Sequence, residues 1–349
     1  MLSNSEGVVH HAKVSTARKP KLSPRVNTRL EPLRFERRCL EKVWGGRALE
    51  RNPGIALPPG KIGETWEIVD RDGENSIVAE GGLKGLSLRE LMKRHPKDLL
   101  GKAPAGKEGR FPLLVKYIDA TENLSVQVHP DDESARRIGG DAEAKTEAWY
   151  VVDARPGSVL YAGLRPSVTA REFESVASGP GVVETLLAWK VERGDCLLVP
   201  GGTVHAISGG VTILEVQQNS DTTYRLWDWG RAGRETHVAQ ALACIRFGDP
   251  ERRPVRPAWF REREHEVAQL ARSKHFGMNA LRLTEPVRRS TLSQFQIYAV
   301  VEGRGTLRWN DQERALAPGD VWLVPASCGY HHLAPENGAL SLVQMLYRP

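Results

Sequence analysis

The sequence predicts a mainly β protein made of two related units, with a few short helices covering the first. Most of its 349 residues fall into short apolar segments broken by Gly, Pro and Asp, which is typical of strands and turns. A pattern from the first half also recurs in the second. Residues 150–157 resemble residues 298–305, and residues 194–200 resemble residues 319–325. Two copies of a strand-turn-strand pattern indicate two units.

Charge and composition divide the chain into three segments. Residues 1–34 hold seven Lys or Arg against two Glu and no aromatic residue, so we expect a disordered basic tail. They carry +5 of the net charge of +6, which leaves a nearly neutral body and argues against a nucleic-acid enzyme. We expect a catalytic unit over residues 35–248 and a degenerate carboxy-terminal unit over residues 249–349. Residues 249–254, rich in Pro, Asp and Arg, are the expected linker.

The composition also indicates in which compartment the protein is expected. No run of about 18 apolar residues exists, so no membrane-spanning helix is expected. The first residues lack the apolar core of a signal peptide. The four cysteines are far apart and form no Cys-x-x-Cys pair, which indicates reduced thiols. We therefore expect a cytoplasmic protein, monomeric or weakly self-associating, that binds neither membranes nor nucleic acids.

Two helices are predicted from capping boxes. Ser87 and Glu90 form one such pattern, and the helix is expected to stop near His95-Pro96. Thr169 and Glu172 repeat the pattern before a Gly-Pro-Gly break at residues 179–181. These helices are expected to cover the first unit or to rim its mouth. The Asp131-Asp132 pair after Pro130 is interpreted as a turn.

Three strands bring together residues that could bind a metal. Apolar residues alternate with polar ones over residues 124–129, so Gln127 and His129 share a face. Glu147 begins a second strand over residues 147–152, which is rich in aromatic and β-branched residues. His205 follows a Pro-Gly-Gly turn that leads into a strand over residues 211–216.

Two imidazoles and one carboxylate suit zinc or another borderline divalent metal. An amide oxygen is a weaker ligand that leaves most of the charge on the metal, which favours polarising a carbonyl or hydroxyl. Either histidine alone would more simply be an ordinary hydrogen-bonded residue. The Gln-x-His pair together with the Pro-Gly-Gly context favours a metal site.

The motifs resemble a known family. The pattern Gly-x5-Pro-x-Gly-x2-His that ends at His205 resembles the second signature of the cupin superfamily. Residues 127–132, 145–150 and 218–225 resemble type I phosphomannose isomerase, as do Trp44-Gly45-Gly46 and residues 63–67. The matches run in family order from about residue 35 to residue 231, and the length resembles the short bacterial form. The long amino-terminal extension is a departure from the pattern.

This resemblance implies a fold, a reaction and a site. The fold would be two cupin-type jelly-roll barrels. The reaction would be a zinc-dependent interconversion of mannose 6-phosphate and fructose 6-phosphate through a cis-enediol. One zinc per chain would be held by residues that match the family ligands, namely Gln127, His129, Glu147 and His205. The essential arginine matches Arg225, and a lysine near the sugar or its phosphate matches Lys145. Glu215, Lys145 or a metal-bound water remain candidates for the base.

Other interpretations of the same residues stay open. Arg225 could be satisfied by an ion pair with Asp221 or Asp228, and Lys145 could be a solvated surface residue. A strand over residues 222–229 would place Thr223, Arg225, Trp227 and Trp229 on one face. Trp149, Trp227 and Trp229 are more simply core residues than platforms for a sugar ring. The chain could also be a different metal-dependent cupin isomerase of sugar phosphates, or a non-catalytic sugar-sensing cupin.

The carboxy-terminal unit is expected to hold no catalytic metal. Aligning the repeats places Tyr330 where His205 stands and Phe295 where Glu147 stands, both residues that suit an apolar core. His331 and His332 are adjacent, so on a strand they would point to opposite faces. The unit should instead cover the first one and bury apolar surface, including Trp322, Leu323, Leu342 and Val343.

Overall fold

Strands dominate the computed structural model, which describes residues 30–291 and 293–347. The strands of the first half are β1 (Leu33–Arg34), β2 (Arg38–Gly46), β3 (Ile62–Ile68), β4 (Asp70–Arg71), β5 (Glu74–Asn75), β6 (Leu113–Ala120), β7 (Val126–Val128), β8 (Glu147–Ala154), β9 (Val159–Leu164), β10 (Leu186–Lys190), β11 (Cys196–Val199), β12 (His205–Ile207), β13 (Val211–Gln218) and β14 (Tyr224–Trp227). Those of the second half are β15 (Phe260–Glu262), β16 (His265–Arg272), β17 (Gly277–Leu283), β18 (Val287–Ser290), β19 (Gln296–Trp309), β20 (Gln312–Leu316), β21 (Val321–Val324) and β22 (Tyr330–Leu346). The predicted mainly β class is confirmed.

Five short α-helices accompany the strands in the described ranges. They are α1 (Leu88–Arg94), α2 (Pro96–Leu100), α3 (Asp132–Ile138), α4 (Ala170–Val176) and α5 (Val238–Cys244). Both predicted capping boxes are confirmed, because Ser87 and Thr169 cap α1 and α4 with reciprocal hydrogen bonds from Glu90 and Glu172. No helix in this part of the chain is long and apolar enough to cross a membrane.

The turn predicted at residues 131–132 is wrong, because these residues begin helix α3. The Asp131 side chain accepts from the Ser134 backbone, and the Ser134 side chain closes the box on the Asp131 backbone. A serine at this third position is a weaker signal than the Glu or Gln of the usual box. Asp131 therefore has a structural role as a helix cap.

Two antiparallel sheets of the first half enclose an interior. One has six strands in the order β11-β8-β13-β6-β3-β2, and the other has five in the order β10-β9-β12-β7-β14. Apolar residues of both sheets, among them Ile118, Val151 and Leu160, form a core between them. Helices α4 and α5 cover the outer face of the five-stranded sheet through Phe173 and Ala241. The interior between the sheets carries the candidate site.

Alternation along the six-stranded sheet separates that interior from a second core. In β6, Leu114, Lys116 and Ile118 line the interior, whereas Val115 and Tyr117 point to the opposite face. Strands β8 and β13 alternate in the same way. The opposite face packs against the second half of the chain, where it meets apolar residues that include Phe276, Phe295, Ile297, Leu323, Val343 and Met345. The prediction that the second half buries apolar surface against the first is confirmed for Leu323 and Val343. It is wrong for Trp322 and Leu342, which are buried in a separate cluster within the second half.

The eight strands of the second half, β15 to β22, form one sheet, and β1 joins its edge as the ninth strand. Leu33 pairs with Leu323 in β21, and Leu30 and Leu33 are buried. The predicted boundary of the tail at residue 34 is therefore wrong, because residues 30–34 pack against the second half. The rest of the predicted tail, residues 1–29, lies outside the described residues.

The histidine pair of the second half follows the predicted alternation. His331 is buried in β22 and lies 3.1 Å from the Tyr298 hydroxyl, whereas His332 is exposed. Phe295 is buried in the shared core, as expected. Tyr330 is not a core residue, because half of its surface is exposed and the Arg288 guanidinium stacks on its ring. All four cysteines are free thiols, as predicted.

Candidate metal centre and active site

The turn before His205 brings this residue beside the predicted ligands on β7. His205 pairs directly with Gln127 across strands β12 and β7. A side chain at Gly201 would strike the carbonyl oxygen of Pro130 at 2.5 Å, so only glycine allows this close approach. The next residue, Gly202, has a φ of +89° and donates its N–H to the His129 carbonyl at 2.7 Å. The Pro-Gly-Gly sequence thus sets the distance between the two histidines.

Three of the four predicted ligands form one compact cluster. The candidate ligand atoms of His129, Glu147 and His205 all lie within 4.8 Å of one another, and all three residues are buried. The carboxylate of Glu147 lies 3.4 Å from Nε2 of His129 through one oxygen and 3.3 Å from Nε2 of His205 through the other. We call these three residues the triad.

Backbone carbonyls orient both imidazoles of the triad. Nδ1 of His129 donates to the Thr222 carbonyl at 2.8 Å, and Nδ1 of His205 donates to the Thr203 carbonyl at 2.9 Å. Because the proton is on Nδ1, the lone pair of each ring is on Nε2 and faces the cluster. Burial, reinforced by the Lys145 ammonium, lowers the pKa of His129 to about 3, and burial also lowers the pKa of His205. Both rings are therefore neutral, the form that binds metals.

The third member of the triad is a carboxylate with a free oxygen. Burial alone would raise the pKa of Glu147, but the Lys145 ammonium and the two imidazoles hold it well below its usual range. Its Oε2 atom lies 2.8 Å from Nζ of Lys145, yet it accepts no hydrogen bond of acceptable geometry. Two neutral imidazoles and an ionised carboxylate with an unused oxygen fit a divalent cation.

Gln127, the predicted fourth ligand, lies beside the triad but turns its amide nitrogen toward it. Its Nε2 atom is 3.2 Å from Nε2 of His205, and its oxygen accepts from the Ser125 hydroxyl at 3.1 Å. Rotating the amide by half a turn would bring the oxygen to the cluster. Coordination by Gln127 stays a prediction.

A cavity of about 370 Å³ opens beside the triad, between the two sheets. Lys145 and Glu147 line it together, as their two-residue spacing predicts. The Lys145 side chain is buried, and its ammonium lies 3.1 Å from Nε2 of His129. The alternative interpretation of Lys145 as a solvated surface residue is therefore wrong.

A buried ion-pair network on the floor of this cavity contains a residue that the sequence analysis missed. Nζ of Lys116 lies 3.5 Å from Glu215 and 3.8 Å from Glu64, and all three side chains are buried. Burial raises the pKa of Glu215 to about 7, although Lys116 counteracts part of that effect. The signal for Lys116 was a single cation between apolar residues of β6, a position where an unpaired charge would be very costly.

Comparison with known proteins was consistent with this site. Residues 33–159 match the model of the phosphomannose isomerase type I catalytic domain. The mannose-6-phosphate isomerase ManA of Bacillus subtilis is 34% identical over 311 residues, covering 86% of this chain and 94% of that protein. The mannose-6-phosphate isomerase of Streptococcus mutans is 33% identical over 300 residues, covering 84% and 92%. The chain belongs to the type I phosphomannose isomerase family.

The fold agrees with that family. The crystal structure of the mannose 6-phosphate isomerase from Bacillus subtilis superposes with a TM-score of 0.81 at 29% identity, covering 91% of this chain and all of that one. The family predicted from the sequence motifs is thus confirmed over most of the chain.

Arg225 lines the cavity of this phosphomannose isomerase family member and forms no ion pair with any carboxylate in the described part of the chain. Asp221 pairs with Arg71, and Asp228 pairs with Arg231 and Arg234. The alternative of a structural ion pair with Asp221 or Asp228 is therefore wrong. Nη1 of Arg225 donates to the Glu235 carbonyl at 2.7 Å, whereas its buried Nε has no acceptor. The guanidinium therefore presents to the cavity a positive charge that no described carboxylate pairs with.

The strand predicted over residues 222–229 is shorter and irregular. Strand β14 ends at Trp227, and its register shifts between Arg225 and Trp227. Trp229 has a φ of +57°, outside the extended region. Trp227 and Trp229 consequently leave the face of Arg225 and pack on the outer apolar cluster. Trp149 is a buried core residue, as expected, and it also lines the cavity, where its ring and that of His205 meet in a T-shaped arrangement.

Proposed function

We propose that this chain is a zinc-dependent aldose–ketose isomerase that interconverts mannose 6-phosphate and fructose 6-phosphate through a cis-enediol. The observation that supports this proposal most directly is the buried triad of potential metal ligands beside a cavity. The cavity also contains the carboxyl group of Glu215, whose pKa is raised to about 7. The Bacillus subtilis and Streptococcus mutans relatives are named for the same isomerisation.

The metal would be held by the triad, with the Gln127 amide oxygen as a fourth ligand. A zinc ion held there would supply Lewis-acid chemistry for polarising a carbonyl or hydroxyl oxygen of the sugar. The backbone contacts of His129 and His205 keep their Nε2 atoms available for it. The Lys145 ammonium keeps the Glu147 carboxylate ionised.

Glu215 is the proposed proton-transfer group. The reaction removes a proton from C2 of mannose 6-phosphate and returns one to C1, which requires a group that exists in both protonation states near neutral pH. The pKa of Glu215, raised to about 7 by burial, meets this requirement. The ammonium of Lys145 already contacts Glu147 and His129. We therefore assign Lys145 to holding the triad and substrate oxygens rather than to proton abstraction.

Arg225 is proposed to stabilise the negative charge that develops on the substrate oxygens. Its side chain lines the cavity and forms no ion pair with a described carboxylate, so no ion pair must break before its charge acts on the substrate. A fixed, desolvated charge of this kind favours the transition state over the ground state.

The two halves of the chain are proposed to be two cupin units. The first, residues 35–248, would be the catalytic unit, in which the six- and five-stranded sheets form the walls of a jelly-roll barrel. The second, residues 249–349, would be a degenerate unit without a catalytic metal. The recurrence of residues 150–157 at residues 298–305 supports a common origin of the two.

A coupled assay tests the proposed function. Metal-loaded enzyme should form fructose 6-phosphate from mannose 6-phosphate, and a chelator should abolish the reaction. Glucose 6-phosphate is the matched substrate that separates this activity from that of another cupin isomerase. Binding of mannose 6-phosphate without any turnover would contradict the proposal and favour a sugar-sensing cupin.

A further inference from the structure

One wall of the cavity carries positive charge that no cavity carboxylate balances. The charged residues that line the cavity are Lys42, Lys116, Lys145, Arg225, Arg234, Glu64, Glu147, Glu215 and Asp221. The three buried glutamates pair with Lys116 and Lys145, and Asp221 pairs with Arg71. Of the described carboxylates that line the cavity, none pairs with Arg225 or Arg234.

The loop between β14 and α5 holds Arg234 next to Arg225. The Glu235 carbonyl accepts from Nη1 of Arg225 at 2.7 Å, and the His237 N–H donates to the Arg225 carbonyl at 2.7 Å. These two bonds join the loop to the side chain and to the backbone carbonyl of Arg225. Burial and then the charge of Arg234 lower the pKa of Arg225, as expected for two guanidinium groups at short range. An anion bound between Arg225 and Arg234 would reduce the repulsion between the two guanidinium groups.

Asp228 cannot neutralise this wall because it serves two arginines at once. It is buried and accepts from Arg231 at 2.7 Å and from Arg234 at 3.1 Å. Arg231 also donates to the Asn123 carbonyl and does not line the cavity. Arg231 also pairs with the exposed Glu122 at 3.6 Å, whereas Asp228 is the one carboxylate that pairs with Arg234 among the described residues. Arg234 uses only Nη1 in its bonds to Asp228, which leaves its other donors for a ligand.

We propose that Arg234 binds the phosphate group of the substrate and thereby sets the preference for a phosphorylated over a free sugar. The inference rests on the proposed function. A guanidinium is planar and offers paired donors that match two phosphate oxygens. Asp228 fixes the side chain through Nη1, and Arg225 acts on the reacting end of the sugar. Arg234 is thus a specificity-determining residue that the sequence motifs did not include.

Steady-state kinetics on the metal-loaded full chain test the proposal. Arg234→Gln should raise KM for mannose 6-phosphate about 10- to 100-fold, the loss expected for a hydrogen bond to a charged group, while kcat changes less than about 3-fold. The ratio of kcat/KM for mannose 6-phosphate to that for mannose should fall by a similar factor. Arg234→Lys should recover part of the loss, since it restores the charge.

Arg231→Gln is the matched control, because Arg231 shares Asp228 but lies outside the cavity. It should leave KM within about 3-fold of the wild-type value. An equal rise of KM in Arg231→Gln would overturn the proposal, because the loop would then act only through Asp228. A loss of kcat without a change of KM in Arg234→Gln would overturn it as well.

Binding of inorganic phosphate separates this proposal from the proposed function. Titration calorimetry on metal-loaded protein should give a phosphate affinity at least about 10-fold weaker in Arg234→Gln than in wild type or Arg231→Gln. This measurement needs no turnover, so it holds even if the wild-type enzyme does not isomerise mannose 6-phosphate. Equal phosphate affinity in all three proteins would refute the role of Arg234.

Discussion

The ammonium of Lys116 lies 3.5 Å from the carboxylate of Glu215, and both side chains are buried. The two residues are directly opposite each other on strands β6 and β13. Burial alone would lower the pKa of Lys116, but Glu215 and Glu64 together raise it above its ordinary value. Lys116 therefore stays charged while Glu215 can change its protonation state near neutral pH.

This pair predicts the pH dependence of activity. The proposed reaction needs ionised Glu215, so kcat/KM should rise with pH through an apparent pKa near 7. Lys116→Met removes the positive charge nearest to Glu215, so the apparent pKa of this rise in kcat/KM should increase by about 1 pH unit or more. Glu215→Gln should lose about 10²- to 10⁴-fold in rate and show no such rise. Initial rates from about pH 5.5 to about pH 9 give this profile for wild type and both variants. An unchanged apparent pKa in Lys116→Met would contradict the assignment of Glu215.

Metal content is expected to depend on the triad. Wild-type protein should hold about one divalent ion per chain, and His205→Ala should lose both the ion and the activity, because one of two imidazoles is gone. Elemental analysis of purified protein before and after exhaustive chelation measures this. His332→Ala, an exposed histidine in the second half, is the control that should keep the ion. Full activity in metal-free protein would reject the metal assignment.

Arg225 and Arg234 are predicted to separate kinetically. Arg225→Ala should lower kcat by about 10²- to 10³-fold with a smaller effect on KM, because a preorganised charge in the transition state is lost. Arg225→Lys should restore little, since a lysine cannot reproduce the planar donors. Kinetics of each variant with mannose 6-phosphate give the comparison. A normal kcat with a raised KM in Arg225→Ala would instead assign Arg225 to substrate binding.

His331 is predicted to make stability depend on pH without binding metal. Burial lowers its pKa in the folded protein to about 4, against about 6.5 in an unfolded chain. Between these pH values the unfolded state binds the proton and the folded state does not. The stability that neutral His331 contributes is therefore complete above about pH 6.5 and is lost as the pH falls toward 4. The free energy of unfolding should fall by on the order of 3 kcal/mol across that window.

Denaturant unfolding at about pH 7 and about pH 4.5 tests this dependence. The fall in stability should be smaller in His331→Gln by about the share attributed to His331, because the buried His129 and His205 still contribute to it. His332→Gln should resemble wild type because His332 is exposed. Both variants should keep the metal content of wild type. A second tightly held ion that disappears in either variant would show that the carboxy-terminal half has a metal site of its own.

The sequence predicted those parts of the site where a short pattern determines the geometry. Alternation along β7 and β8 and the Pro-Gly-Gly turn were enough to bring His129, Glu147 and His205 together. The register between strands and the irregular stretches of backbone could not be predicted from the sequence. The shift in β14 that turns Trp227 away from Arg225 depends on pairing with β7, which no local pattern encodes. Lys116 was missed because its partners Glu64 and Glu215 come from strands distant in sequence.

The core shared by the two halves makes the enzyme indivisible. Val115 and Tyr117, on the strand that carries Lys116, are buried by side chains of the carboxy-terminal half. A gene fragment that encoded only the half with the candidate metal site would expose this apolar sheet face to water, and such an exposed face promotes aggregation. Every proposed catalytic and metal-binding residue belongs to the first half. That half nevertheless needs the second half to cover its apolar sheet face, so the two must be produced as one chain.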